Sequence, residues 1–300
     1  MPNHPLHAPV LDWYRTHRRS LPWRKPGCSP WGVLVSEVML QQTPVARVLP
    51  VWQEWLERWP VPADLAARPP GEAIRAWGRL GYPRRALRLH EAAQVIVERH
   101  GGAVPDDHAA LLALPGIGTY TAAAVSTFAF GRRHAVIDTN VRRVLARAVG
   151  GRQFPAPALT AAETRRLERL VPDEPAAAAT WAVASMEMGA LVCTARAPRC
   201  GACPVASLCR WRLDGAPVQD GVRRGQPWAG TDRQVRGRIL AVLRAASEPV
   251  PAGVLAGAVP DGDLSDRAQR DRSLDALVAD GLVEPLSGDR YALPGVHSGR

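Results

Sequence analysis

Four of the chain's five cysteines fall within seventeen residues, in the order Cys193-x6-Cys200-x2-Cys203-x5-Cys209. A disulfide framework does not suit a chain of 300 residues that begins MPNHPLHAPV, without the apolar core of a secretion signal. Closely spaced thiols suit a soft metal centre, because thiolate sulfur favours zinc and iron–sulfur sites. Structural zinc sites more often show two CxxC pairs, whereas four cysteines at mixed spacing can wrap an iron–sulfur cube. The spacing leaves both open. Arg196, Arg199, Arg210 and Arg212 sit among these cysteines, so the loop also reads as a surface for phosphates. Cys28 has no cysteine near it and reads as a buried, small apolar residue.

The rest of the chain reads as predominantly helical. Ser29-Pro30 is a helix start, since serine caps free amides and proline suits the first helical position. Trp31, Leu34, Val35 and Val38 then recur with the spacing of one helical face, and Glu37 lies at its edge. The pattern predicts further helices over 44–58, 71–79, 84–100, 106–113, 119–130, 140–149, 160–170 and 175–190, separated by Gly/Pro-rich breaks. No strand is expected until near residue 282. Residues 212–232 have turn composition without periodicity and read as a linker. Beyond it, amphipathic helices are expected over 233–246 and 264–280, with a short one near 251–258. Leu282-Val283-Glu284 and Arg290-Tyr291-Ala292-Leu293 flank Ser287-Gly288-Asp289 as a hairpin. Three helices followed by a hairpin resemble a winged-helix module, and the length suffices for two packed domains with such an appendage.

The formal net charge is +10. It points to a polyanionic partner, DNA or RNA before an anionic membrane, unless the charge serves solubility alone. Lys25 is the only lysine, so chemistry that needs a lysine amine has one candidate side chain besides the N-terminus. No apolar stretch reaches the roughly 20 residues of a membrane-spanning helix, and the expected location is the cytoplasm.

Leu114-Pro115-Gly116-Ile117-Gly118-Thr119-Tyr120-Thr121-Ala122 joins two expected helices. Gly116 and Gly118 allow a tight turn, and the helix that follows presents free amides to an anion. This is the helix–hairpin–helix arrangement, which grips a DNA backbone without reading sequence.

Together with an aspartate about twenty residues later, in Val136-Ile137-Asp138-Thr139-Asn140-Val141, and the cysteine loop, this hairpin resembles the endonuclease III superfamily of DNA glycosylases. Leu21-Pro22-Trp23-Arg24, Gly78-Arg79-Leu80-Gly81-Tyr82 and above all Ser36-Glu37-Val38-Met39-Leu40-Gln41-Gln42-Thr43 resemble the MutY-type adenine glycosylases. The resemblance covers about residues 10–211. It implies a mainly α, two-lobed glycosylase fold with an iron–sulfur loop, here followed by the small winged-helix-like α+β module. A six-helix domain is expected over 26–133, a cluster domain over 1–25 and 134–211, the linker over 212–232 and the module over 233–295.

The resemblance also implies a division of chemistry. The partner is double-stranded DNA carrying a mismatched adenine, bound by a monomer, with the adenine flipped out of the stack. Glu37 matches the catalytic acid that protonates adenine N7 and then positions water. Asp138 matches the carboxylate that stabilises the oxocarbenium sugar, although an aspartate before a helix also reads as a cap. Arg19, Leu21, Trp23 and Glu187 match positions at the adenine pocket, and Tyr82 matches a wedge in the DNA stack. Gln42, Thr43 and Leu80 belong to the strings near the opposing base. Cys193, Cys200, Cys203 and Cys209 match the ligands of a [4Fe–4S] cluster.

Endonuclease III itself cleaves the strand through a lysine Schiff base, and Tyr120 holds that lysine's position here. A monofunctional glycosylase is therefore expected. Thymine-mismatch glycosylases share Tyr120 but lack a glutamate matching Glu37. A redox-sensing winged-helix regulator would use the cysteines yet leave Glu37, Asp138 and the hairpin unexplained. The family's usual C-terminal Nudix-like domain, which helps recognise 8-oxoguanine, is not recognisable in the last ninety or so residues. Residues 233–295 are expected to strengthen duplex binding in general.

Overall fold

The computed structural model describes residues 4–218, 230–258 and 267–296. Part of the expected 212–232 linker and the start of the expected 264–280 helix lie outside them. Helices follow one another along most of the chain. They are α1 (His7–His17), α2 (Pro30–Leu40), α3 (Val45–Arg58), α4 (Pro62–Ala66), α5 (Pro70–Trp77), α6 (Arg84–His100) and α7 (His108–Leu112). Next come α8 (Thr119–Phe130), α9 (Thr139–Ala148), α10 (Ala161–Glu168), α11 (Pro175–Leu191) and α12 (Arg210–Leu213). Every helix expected between 44 and 190 is present to within two residues at each end. None of these helices is long and apolar enough to cross a membrane among the described residues.

The chain divides into two compact units, one of Met1–Leu34, Asp106–Ala113 and Ile117–Val222, the other of Val35–Pro105, Leu114–Gly116 and Arg223–Arg300. In the first, α1 lays Val10, Trp13 and Tyr14 against Val141, Val144 and Leu145 of α9 and Trp181, Ala184 and Met188 of α11. Those α9 positions repeat at the i, i+3, i+4 spacing of one helical face, and burying each such side chain contributes about 1.5–3 kcal/mol. In the second unit, Trp55 meets Trp59 and Trp77 edge to face, with centroids 4.7 and 5.8 Å apart. Edge contacts of this kind suit the ring quadrupole.

One expectation about α2 is corrected. Trp31 to Met39 are buried without exception, so the helix has no solvent face and Glu37 does not sit at the edge of one. A helix buried all round must carry apolar residues at nearly every position, which GVLVSEVML does apart from Ser36 and Glu37.

The C-terminal module contains α13 (Asp232–Ala245), α14 (Ala252–Gly257) and α15 (Arg267–Ala279) with a three-stranded antiparallel sheet. Its strands β1 (Val250–Pro251), β2 (Glu284–Leu286) and β3 (Arg290–Ala292) stand in the order β1-β3-β2. The first strand therefore comes well before residue 282, contrary to expectation. Two residues are too few to show alternation, and β1 exists because Val250 and Pro251 pair with Tyr291 and Arg290. This order of helices, short first strand and closing hairpin is the winged-helix arrangement.

The module is packed on α5 and α6. Ile74 of α5 is buried completely within the module's own apolar cluster, beside Ile239, Leu243, Leu277 and Leu293. Arg75 donates to the carbonyls of Arg244 and Ala246 at 2.6 and 2.9 Å, and Arg244 donates back to Ile74 O at 3.1 Å. Asp280 pairs with both Arg84 and Arg236. Gly71 N donates to Pro294 O at 2.9 Å. A Cβ on Gly71 would stand 2.4 Å from Val296 Cγ2 and 2.7 Å from Pro294 O, so only glycine fits there.

Candidate active site and cysteine loop

Ser29 Oγ accepts from Gly32 N at 3.1 Å, capping α2 as its sequence suggests. Glu37 lies two turns further on, 5% exposed, beside the fully buried Ser36. After α2 the chain passes through Gln42 at φ 54°, and the 78–82 loop ends in Tyr82 at φ 48°. Such left-handed backbone is uncommon outside glycine and persists where surroundings impose it.

Arg85 imposes it. Its Nη1 donates to Val38 O, Met39 O and Gln41 O at 2.8, 3.2 and 2.7 Å, and its Nη2 to Thr43 Oγ1 and Gly81 O at 3.1 Å each. One guanidinium thus satisfies the orphan carbonyls at the end of α2 and fastens the peptide before each left-handed residue. It stacks on Trp77, 5.2 Å from the ring centroid. Burial lowers its pKa to about 10, against the opposing influence of Tyr82, and the group stays charged at neutral pH. Thr43 Oγ1 also donates to Leu80 O at 3.4 Å. Gln42, Thr43, Leu80 and Tyr82 are therefore gathered around Arg85, a residue the sequence alone did not single out. Thr43 and Leu80 are buried, and Tyr82 is 45% exposed.

In the hairpin, Gly116 has φ +75°, and a Cβ there would lie 2.5 Å from Arg88 Cβ. Gly118 is extended and caps α8 with no side-chain hydrogen bond of its own. Tyr120, on the first turn of α8, packs half-buried against Ala123, Ala124, Val136 and Ala182.

Val136 leads into Asp138, the cap of α9. Its Oδ1 accepts from Val141 N at 2.6 Å, and its Oδ2 accepts from Asn140 Nδ2 at 2.7 Å. Burial raises the Asp138 pKa, while those bonds and the Arg143 charge pull the other way without cancelling the rise. Both sequence readings of Asp138 are compatible with this geometry, because capping uses Oδ1.

Glu187, on α11, is fully buried. Its Oε1 accepts from Arg19 N and Nε at 3.0 and 2.8 Å, and its Oε2 from Arg19 Nη2 and Arg24 Nη1 at 2.7 and 2.8 Å. Burial alone would raise its pKa, but the Arg19 and Arg24 bonds and charges outweigh it and hold the group down at about 2. Glu187 is thus a fixed anion that positions Arg19 and Arg24, beside the buried Leu21 and Trp23. Arg24 belongs to the LPWR string, yet nothing in the sequence paired it with a residue 163 positions away.

The cysteine loop hangs on α9. Arg143 Nε donates to Cys193 O at 2.8 Å and its Nη2 to Gly189 O at 2.7 Å. Arg147, only 1% exposed, places Nη1 3.3 Å from Cys193 Sγ and 2.7 Å from Thr194 O. Its guanidinium also stacks 5.0 Å from the Trp211 ring centroid. A buried cation is costly unless acceptors face it, and here they are Cys193 Sγ and the carbonyls of Gln153, Thr194 and Ala195. All four loop cysteines are half-buried and unpaired as disulfides. Burial and the neighbouring sulfurs push the Cys203 thiol up to about 11, which marks four thiols within electrostatic reach of one another. Among the described residues, no three His, Cys, Asp or Glu side chains are gathered as a single metal ion requires. The donor set fits a thiolate-bound cluster with a buried counter-cation.

The four arginines of this loop are all exposed, and three of them have partners within the chain. Arg199 donates to Leu191 O at 3.0 Å and Arg212 to Cys200 O at 3.0 Å, while Arg210 pairs with Asp214. Arg196 is exposed. Cys28 is half-buried rather than buried.

Comparison with known proteins matches residues 35–169 to the HhH-GPD superfamily of base excision DNA repair proteins, and residues 193–209 to the iron–sulfur binding domain of endonuclease III. An adenine DNA glycosylase of Mycobacterium tuberculosis is 52% identical over 98% of this chain and 95% of its own length. One from Mycolicibacterium smegmatis is 54% identical over 95% of each chain. This chain belongs to the adenine DNA glycosylase family. The human member is 41% identical over 68% of this chain and 38% of its own. Among solved structures, a thermostable thymine-DNA glycosylase is 30% identical with a TM-score of 0.63, covering 69% of this chain and 94% of that one. An endonuclease III–DNA complex, 24% identical with a TM-score of 0.59, shares the fold. Family membership brings an iron–sulfur cluster with it, and the four loop thiols, with Cys193 beside Arg147, are the donors that fit it.

Proposed function

We propose that the chain removes adenine paired with 8-oxoguanine or guanine in double-stranded DNA, by hydrolysing the N-glycosidic bond. The observation that carries this reading is Glu37, a carboxyl 5% exposed in a helix buried all round, within the family's most specific string. Adenine leaves poorly until a ring nitrogen is protonated. Glu37 donates its proton to N7, and as a carboxylate it then orients the attacking water. Asp138 remains ionised and stabilises the positive charge that develops on the sugar. Arg19, Leu21, Trp23 and Glu187 form the wall for the extruded adenine. Tyr82 wedges into the stack, with Gln42, Thr43 and Leu80 towards the opposing base. The amides following Gly116 and Gly118 hold the backbone. Tyr120 cannot form a Schiff base, so the product is an abasic site in an intact strand.

Cys193, Cys200, Cys203 and Cys209 hold the cluster, which we assign as [4Fe–4S]. When bound, it supplies a rigid anionic centre that organises the loop. Arg147 offsets part of its negative charge, and Arg143 fixes the backbone at Cys193. The protein works as a monomer in the cytoplasm.

The test is single-turnover adenine release from duplexes carrying A opposite 8-oxoguanine, A opposite G, and thymine glycol. Glu37→Gln keeps size and hydrogen bonding but loses the titratable proton, and the expected fall in rate is about 10²–10⁴-fold. Retained activity would refute the mechanism. Strand cleavage without added base would instead favour an endonuclease III-like lyase.

A further inference from the structure

The C-terminal module reaches the wedge loop. Arg233, in the first turn of α13, holds its guanidinium 4.7 Å from the centroid of the Tyr82 ring. Its Nη2 is also 4.0 Å from the position a Cβ on Gly81 would occupy. The Arg85 guanidinium lies 5.4 Å from the same centroid. Two cations therefore lie against an aromatic ring that is still 45% exposed.

The module is not loosely attached to this stretch of chain. Ile74 is buried in its core, Arg75 and Arg244 exchange hydrogen bonds across the seam, and Arg84 pairs with Asp280 at 3.2 Å. Those anchors lie on α5 and the first turn of α6, immediately either side of the 78–82 loop. Arg233 is thus carried on a body fixed to both ends of the loop that presents Tyr82.

We propose that Arg233 is a positioning residue for base excision, through which the C-terminal module braces the Tyr82 wedge before DNA is bound. The inference rests on the reading of Tyr82 as the wedge. A ring free to rotate loses that freedom when it enters the stack, whereas a ring already held by Arg233 and Arg85 loses less. Pre-organisation of this kind favours the complex in which the ring is inserted. An exposed cation–π contact contributes about 0.5–1 kcal/mol, a factor of about 2–5 in affinity. The gain applies where the wedge enters, at a mismatch. A module that only gripped phosphates would instead strengthen matched and mismatched duplexes alike.

The experiment uses the full-length protein with its cluster and measures Kd for two duplexes of one sequence. One carries a non-cleavable 2′-fluoro-adenosine opposite 8-oxoguanine, the other a matched pair at that site. Arg233→Met, which keeps the stem and removes the charge, is expected to lower the mismatch-to-match affinity ratio about 2–5-fold. Arg233→Lys, which keeps a cation, is expected to retain most of the ratio. In a Tyr82→Ser background, Arg233→Met should leave the ratio unchanged. Arg233 is exposed and outside the module's apolar cluster, so melting curves are expected to overlay. Equal weakening of both duplexes by Arg233→Met overturns the inference in favour of a phosphate contact. An undiminished loss of ratio in the Tyr82→Ser background overturns it in favour of direct reading of the opposing base. If Tyr82→Ser alone leaves the ratio intact, the wedge reading fails and the inference falls with it. If Tyr82→Ser lowers the ratio and Arg233→Met does not, only the inference fails.

Discussion

Asp138 and Glu187 are carboxyls on the same compact unit, the first half-buried and the second fully buried, and their surroundings drive them in opposite directions. Burial dominates at Asp138 and raises its pKa, against the hydrogen bonds from Asn140 and Val141. Asp138 acts as an anion, so activity must fall as pH drops through its raised pKa, earlier than for an ordinary aspartate. Asn140→Leu removes a bond that favours the charged form, and the acid limb of the single-turnover rate should move to higher pH. An unmoved limb would show that another group controls it. At Glu187 two guanidiniums prevail, holding the pKa at about 2. A depressed carboxyl stabilises the fold above its unfolded pKa near 4.5 and ceases to do so as pH falls towards 2. Glu187→Gln should cost about 2–4 kcal/mol at neutral pH, discounted because Arg19 is a third exposed. Thermal melts of parent and variant should converge as the pH is lowered to 2, and a constant gap would sink the linkage argument. The sequence could name Glu187 and Asp138 but not these opposite fates. Those depend on Arg24 and Asn140, and nothing local in the sequence marks the pairing of Arg24 with a glutamate so far along the chain.

Elements were more legible than their partners. Helices such as α3, α6 and α9 announce themselves by periodicity and caps, because a half-buried helix must alternate faces. Helix α1 carries the same mark in Val10, Trp13 and Tyr14, but Pro5 and Pro9 disguise it. Proline is tolerated in a first turn, where the amides lack partners anyway. Helix α2 misleads in the other direction, since a helix buried on every side has no face to show. The site around Arg85 was equally hidden, because left-handed Gln42 and Tyr82 depend on carbonyls fastened from another helix. The seam between α5 and the C-terminal module depends on Gly71, whose reason lies in Pro294 and Val296. Gly71→Ala should overpack that seam and cost about 1–3 kcal/mol, despite alanine being the better helix former. A calorimetric melt should show the loss, and a neutral or higher melting temperature would mean the module is not seated as described.

For the molecule as a whole, a net charge of +10 suggested a polyanion but could not say which arginines meet it. Many arginines turn inward. Arg142 binds Glu163 at 2.7 Å and the carbonyls of Ala156 and Ala158, and Arg147 is sealed beside Cys193. A guanidinium held in this way releases no counter-ion when DNA arrives, and only outward charges such as Arg196 contribute to salt dependence. The two classes are separable by one experiment on matched duplex. Arg196→Met should leave the melting temperature unchanged and reduce the slope of log Kd against log salt by about 0.9, one phosphate's share. Arg142→Met should leave the slope alone and lower the melting temperature, because it strands a Glu163 carboxylate whose pKa the Arg142 bond depresses. If Arg142→Met flattens the slope as much as Arg196→Met does, the inward arginines are not structural, and the sign of the charge was all that composition revealed.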